Sequence, residues 1–326
     1  MKGLKAQVST MKTMGTMNKE EKSRKRKTKL KKFVNSWQLY AFVSLAFLTI
    51  FIFSYIPMYG IVIAFKDFRP AMGIWGSPWV GFDHFIRFFE SHHFWTLIKN
   101  TLAINIYALV VGFPLPIILA LAFNEVKDSF FKKFTQTVTY APHFISVVVL
   151  SGMVVSFLSP TTGVINHFLE FLGFQRIAFL SEPDWFRSIY VLSGVWQSTG
   201  WASIIYLAAL AGVDPTLHEA AIVDGATRLQ RVWYINLPAI MPTVMILLIM
   251  NVGSLMAMGF ERIFLLQNPL NLATSNVIAT YVYEMGLLNA QFSFAAAIGL
   301  FNAAINAVLL IMVNRISSKV SEVSLW

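Results

Sequence analysis

The chain contains no cysteine in 326 residues. That absence excludes disulfides, a thiolate nucleophile and any cysteine-held metal or cluster. Charge is also scarce. Asp, Glu, Lys and Arg make up 13% of the chain, against about 25% in ordinary soluble domains. Three motifs are missing as well. There is no Gly-x4-Gly-Lys-[Ser/Thr] loop to cradle a nucleotide phosphate, no Gly-x-Ser-x-Gly elbow and no His-Glu-x-x-His pair. His84, His92 and His93 lie close together in sequence, but no carboxylate accompanies them at ligand spacing, so no metal site is expected. The sequence therefore offers no catalytic group set and no bound cofactor of its own.

What is present is apolar. Hydrophobic residues account for 56% of the chain. Six long apolar segments stand out, at about 33–64, 96–123, 134–158, 186–210, 242–265 and 290–316. Roughly 20 residues of helix cross a bilayer core, so each segment is long enough. The expected fold is an all-α integral membrane protein with six transmembrane helices. Pro57 is expected to kink the first, and Pro114 and Pro116 fall inside the second.

The net charge of +10 does not point to nucleic acid, because its distribution is uneven. Twelve of the 26 Lys and Arg residues lie in the first 32 positions. This basic tail has no apolar core or small-residue cleavage site of the kind a leader peptide carries, and suits an anionic lipid surface. With the N-terminus inside, 19 of the 26 cationic side chains fall on the inner side and seven on the outer. Cationic loops stay cytoplasmic, so both termini are expected there. The domain division is then a basic cytoplasmic tail, 1–32, and a transmembrane domain, 33–326.

Between the fourth and fifth segments lies LHEAAIVDGATRLQRVWYINLPAIMP, residues 217–242. Asp214 and Pro215 suit a helix start. Gly225 suits its stop, since glycine accepts the left-handed conformation. A second helix is expected from about Arg228, breaking near Pro238. Glu219-Ala220-Ala221, then Gly225, Ile235, Leu237 and Pro238 match at every position the EAA loop of ATP-binding-cassette importer permeases, which this stretch (loop 212–241) resembles. The resemblance implies a cytoplasmic coupling helix that docks on an ATPase subunit through Glu219, Ala220, Ala221, Asp224 and Gly225. It implies two homologous permeases, two ATPases that bind ATP and magnesium, and an extracellular or periplasmic solute-binding protein. The location it implies is a bacterial plasma membrane, and the mechanism alternating access.

Further runs at 73–81, 254–270 and 280–283 are similar to the subfamily that imports oligosaccharides released from complex polysaccharides, such as pectin or alginate fragments. A permease for another solute is the alternative within the family. An ion-coupled secondary transporter is the rival outside it, but such proteins carry coupling-ion sites and often inverted repeats. Within the spans, Asn251, Ser254, Met258 and Glu261 step by three and four residues and are expected on one helix face. Gln197 and Trp201 share a face of the fourth span. Amides, hydroxyls and a carboxylate there suit sugar hydroxyls, and an indole suits a sugar's apolar face. Hydrogen bonding between helices is an equally open use for such groups. Tyr281, Tyr283 and Glu284 are candidates for contact with the binding protein.

Overall fold

The computed structural model describes residues 36–127, 129–257 and 259–320. The basic tail and Met258 lie outside these residues. Among the described residues every multi-residue element is helical, and extended pairing is limited to one antiparallel bridge, Lys66 with Trp79. The chain divides into one unit ending at Ile61 and a second starting at Val62.

Four helices are long and apolar enough to cross a membrane: α1 Trp37–Phe65, α2 Phe94–Glu125, α7 Arg228–Gly253 and α10 Phe292–Val320. Two more crossings are available if each of two bent pairs is one span. The first pair is α3 Ser129–Phe144 with α4 Val147–Phe157, bent by 99°. The second is α5 Pro183–Leu210 with α6 Pro215–Val223, bent by 77°. The third apolar segment, about 134–158, is thus a broken helix. Pro142 opens a 3-10 turn, Ile145 is extended, and Ser146 restarts the helix by accepting from the Val149 N–H at 3.3 Å.

Two prolines are absorbed by the same device. A π-helical turn at Phe51–Tyr55 precedes Pro57, and another at Val232–Asn236 precedes Pro238. Each widened turn ends with a backbone bond five residues back, Ile56 to Phe51 and Leu237 to Val232. The extra residue eases the clash between a proline ring and the carbonyl of the preceding turn. The helix from Arg228 therefore does not break near Pro238; it runs on to Gly253 with Pro242 inside it.

In the second unit α5 is central, packing against α2, α3 and α7. Gly200 permits the closest approach: a Cβ there would stand 2.1 Å from the Thr139 carbonyl oxygen. Gly253 does the same for α7 against Leu310 of α10. The segment after α8 Phe260–Leu266 is packed into the protein. Asn100 on α2 donates to the carbonyls of Ala273 and Asn276 at 3.0 and 2.9 Å, and accepts from Arg187 at 3.0 Å. Asn271, fully buried, donates to the Leu180 carbonyl at 2.9 Å. These bonds meet the backbone groups of a short-helix segment that includes α9 Ile278–Tyr283, as burial demands.

Candidate functional site

Helices α2, α5 and α7 enclose a cavity of about 430 Å³, within the range of small-ligand sites. Asn105 enters from α2, Ser198 from α5, Asn251 from the end of α7, and Ser254 from the turn after it. Asn251 and Ser254 are exposed and donate back to the helix, Asn251 to the Leu247 carbonyl at 2.7 Å and Ser254 to the carbonyls of Met250 and Asn251, each at 3.1 Å. The amide and hydroxyl oxygens remain available as acceptors.

The expected stripe through Asn251, Ser254, Met258 and Glu261 is not a continuous helix face. The helix ends at Gly253, residues from Ser254 to Gly259 are irregular where described, and Glu261 sits on the separate helix α8. Asn251 and Ser254 line the cavity; Glu261 is exposed and does not. Gln197 and Trp201 are also off its wall. Trp201 stacks on His143, ring centroids 4.6 Å apart and planes within 2°, with Phe144 edge-on. Gln197 is buried and bridges two elements. Its Nε2 donates to the Ile145 carbonyl at 2.8 Å, which holds the break between α3 and α4, and its Oε1 accepts from Arg262 at 2.6 Å.

Arg262, one of the seven cations that fall on the outer side in the sequence reading, is a cavity residue that residue pattern alone does not reveal. It lies on the cavity wall beside Tyr190, whose ring centroid is 5.6 Å from the guanidinium carbon. Gly194 makes room for it, since a Cβ there would meet Nη1 at 2.2 Å. Its Nε is buried without a hydrogen-bond partner, and no ion pair holds it among the described residues. A part-buried guanidinium with no ionic partner is disfavoured among apolar groups, so such a group is retained where water or an anion meets it. The signal in the sequence was a lone arginine in an apolar run whose sole acidic neighbour, Glu261, is adjacent and so points elsewhere on a helix.

The second site is the segment from Asp214 to Arg231. Asp214 caps α6, its Oδ1 accepting from the Thr216 N–H at 2.9 Å. That N–H holds the Asp214 carboxyl below its usual pKa. The helix closes with paired bonds, Gly225 to Ile222 and Ala226 to Ala221, around Gly225 at φ +78°. This double closure is the Schellman arrangement. The next helix starts at once: Thr227 and Gln230 cap each other in a box. Glu219, Ala220, Asp224 and Gly225 are exposed and Ala221 is half-buried. Val223 is 86% exposed and Ile222 56%, so the segment presents apolar surface beside its carboxylates. On the neighbouring elements, fully buried Asn236 donates to Glu125 at 3.4 Å and ties α7 to the end of α2.

The family model described as "Binding-protein-dependent transport system inner membrane component" matches residues 112–322. The chain belongs to this family. It is a multi-pass membrane permease of a binding-protein-dependent transport system, and the matched region holds most of the cavity wall and all of the capped segment. The permease is 43% identical over 94% of its length, and 95% of the relative's, to the polygalacturonan/rhamnogalacturonan transport system permease YteP of Bacillus subtilis. It is 42% identical to LplB of the same organism, over 88% of this chain and 91% of that one. Among solved structures, it is similar to a chain of a bacterial ABC transporter involved in the import of the acidic polysaccharide alginate. There the identity is 44%, the TM-score 0.82, and the cover 89% of this chain and 98% of that one. A second structure of a bacterial alginate transporter, in complex with an alginate pentasaccharide-bound periplasmic protein, matches at 42% identity and TM-score 0.83, with 90% and 99% cover.

Proposed function

We propose that this permease passes oligosaccharides released from plant- or alginate-type polysaccharides across a bacterial plasma membrane, driven by ATP hydrolysis on separate subunits. The observation that carries the reading is near-full-length similarity above 40% to a polygalacturonan/rhamnogalacturonan permease and to an alginate transporter chain. The cavity between α2, α5 and α7, with its amide and hydroxyl lining, is consistent with that cargo. The chain itself holds no nucleotide loop, so ATP and magnesium belong on two partner ATPases. A second, related permease completes the membrane passage, and a solute-binding protein delivers cargo from outside.

In this reading six spans cross the membrane, the two bent pairs each counting once, and both termini are cytoplasmic. Residues 1–32 form the basic tail and 33–326 the permease domain. Helix α6, turned 77° away from α5 and exposed, is the coupling helix that docks on an ATPase through Glu219, Ala220, Ala221, Asp224 and Gly225.

Two variants test the coupling for different reasons. Gly225→Val places a β-branched residue at φ +78°, a strain of about 1–3 kcal/mol. Since no atom of the chain stands within 4 Å of a Cβ there, within the permease itself the effect comes from the backbone. Ala221→Asp keeps the helix and sets a new charge in the contact, where an unpaired buried charge opposes association by several kcal/mol or more. Both variants are expected to insert and to accept the binding protein, and to lose ATPase co-purification or cargo-stimulated hydrolysis. Glu219→Ala is expected to be milder. Full recruitment and full stimulation in both of the first two variants rules out α6 as the coupling helix.

A further inference from the structure

We infer that Arg262 reads negative charge on the cargo: a sugar carboxylate entering the cavity pairs with its guanidinium. The inference rests on the oligosaccharide reading above and goes beyond it by naming the residue that selects for charge. Four observations converge. Arg262 is the one ionic side chain on the cavity wall among the described residues, while the other polar groups there, such as Asn105, Ser198, Asn251 and Ser254, are neutral. No carboxylate of the chain is ion-paired with it among the described residues. Its Nε is buried without a partner, so among the described residues the one side-chain acceptor it meets is the neutral Gln197 amide.

The fourth observation is that the side chain is held in place. Gln197 takes one N–H at 2.6 Å, Tyr190 backs the guanidinium at 5.6 Å, and Gly194 leaves the space that Nη1 fills. Gln197 is itself fixed by its bond to the Ile145 carbonyl. A neutral amide as the sole side-chain acceptor orients the guanidinium without cancelling its charge. The planar fork of an arginine matches the two oxygens of a carboxylate. On a cavity wall whose other groups are apolar or neutral, an uncompensated cation is disfavoured; an anionic cargo group meets the charge as it passes, and the neutral amides and hydroxyls around it suit the sugar's hydroxyls.

The test uses the whole importer reconstituted in vesicles, with wild-type permease, Arg262→Gln and Arg262→Lys, each checked for assembly with its partners. The probes are a galacturonate trisaccharide and its uncharged methyl ester. Loss of one charge-assisted pair is worth about tenfold or more. Arg262→Gln is expected to lower uptake of the acid, relative to uptake of the ester by the same variant, by that factor. Arg262→Lys, which keeps the charge and loses the fork, is expected to recover at least half of the acid uptake lost by Arg262→Gln. The inference is overturned if Arg262→Lys transports the acid no better than Arg262→Gln, or if Arg262→Gln lowers both probes equally. Equal loss would also be the sign of a guanidinium paired with a carboxylate of the partner permease. If wild type imports neither probe nor a mannuronate trisaccharide while its ATPase remains stimulated by a cargo that is not a sugar, the oligosaccharide reading fails first and the role of Arg262 falls with it.

Discussion

At the residue scale, the polar groups chosen from the sequence part into two sets. Asn251 and Ser254 line the cavity, and their helical spacing made them legible. Gln197 and Trp201 share the spacing of a helix face, yet each is engaged within the chain and not on the cavity wall: buried Gln197 holds Ile145 and Arg262, and Trp201, 45% exposed, stacks on His143. Periodicity shows which residues share a face but not what that face meets. This division gives a prediction. Asn251→Ala is expected to reduce cargo uptake several-fold while the complex assembles normally, because it removes a cavity amide whose structural bond is only to its own helix, at Leu247. Trp201→Ala is expected to act through stability, since it strips a stacked aromatic from the segment around His143; aromatic pairs contribute about 0.5–1.5 kcal/mol beyond their buried area. Thermal unfolding of the purified permease, run beside uptake, separates the two. Reduced uptake in Trp201→Ala with an unchanged melting temperature would return this indole to the passage.

At the element scale, caps were legible and breaks were not. Asp214, Gly225 and Arg228 were placed as start, stop and restart from residue type, and each stands in that position. The continuation through Pro238 was invisible, because a π turn leaves no mark in hydrophobic spacing. The break after Gly253 was hidden for a related reason: SLMA at 254–257 is as apolar as the helix before it, and tertiary bonds decide its shape, among them Asn306 accepting from the Met256 N–H at 2.9 Å. The caps carry a pH prediction. The Thr216 backbone N–H, with its hydroxyl adding to the effect, holds the Asp214 carboxyl below its ordinary value. A depressed carboxylate contributes stability above its unfolded pKa, near 3.9, and loses it as pH falls through the lower folded value. Recruitment of the ATPase should therefore show no Asp214-dependent change between pH 8 and pH 5. Asp214→Asn, an equally good cap, is expected to recruit normally at pH 7, and Asp214→Ala to recruit less across that whole range. Co-purification at three pH values measures this; equal recruitment by Asp214→Ala and wild type would show that the cap has no part in docking.

At the scale of the whole molecule, the decisive quantity is the sidedness of the chain. The second unit is built so that broad apolar surfaces remain outside, with Phe130 82%, Phe144 73% and Val110 65% exposed, as a lipid solvent allows and water does not. That a membrane protein would result was plain from six apolar segments; how the bent pairs count could not be read from length and hydropathy. In the six-span reading charge gives the expected sign, with 19 of 26 cationic side chains inside when the N-terminus is. The absence of cysteine makes a direct test available without a background. Ser77 is too buried for a reporter, at 4% exposure, but Phe171 and Val223 stand at 84% and 86%. If each bent pair crosses once, Phe171 lies after the third crossing and is external, and Val223 lies after the fourth and is cytoplasmic. An impermeant maleimide added to intact cells is expected to label Phe171→Cys and spare Val223→Cys. In inverted vesicles the pattern is expected to reverse. Should only the second bent pair enter and leave on one side, both positions would label from outside; should only the first do so, the pattern would invert, with Val223→Cys labelled and Phe171→Cys spared. In either case α6 would lie outside the compartment where ATP is held.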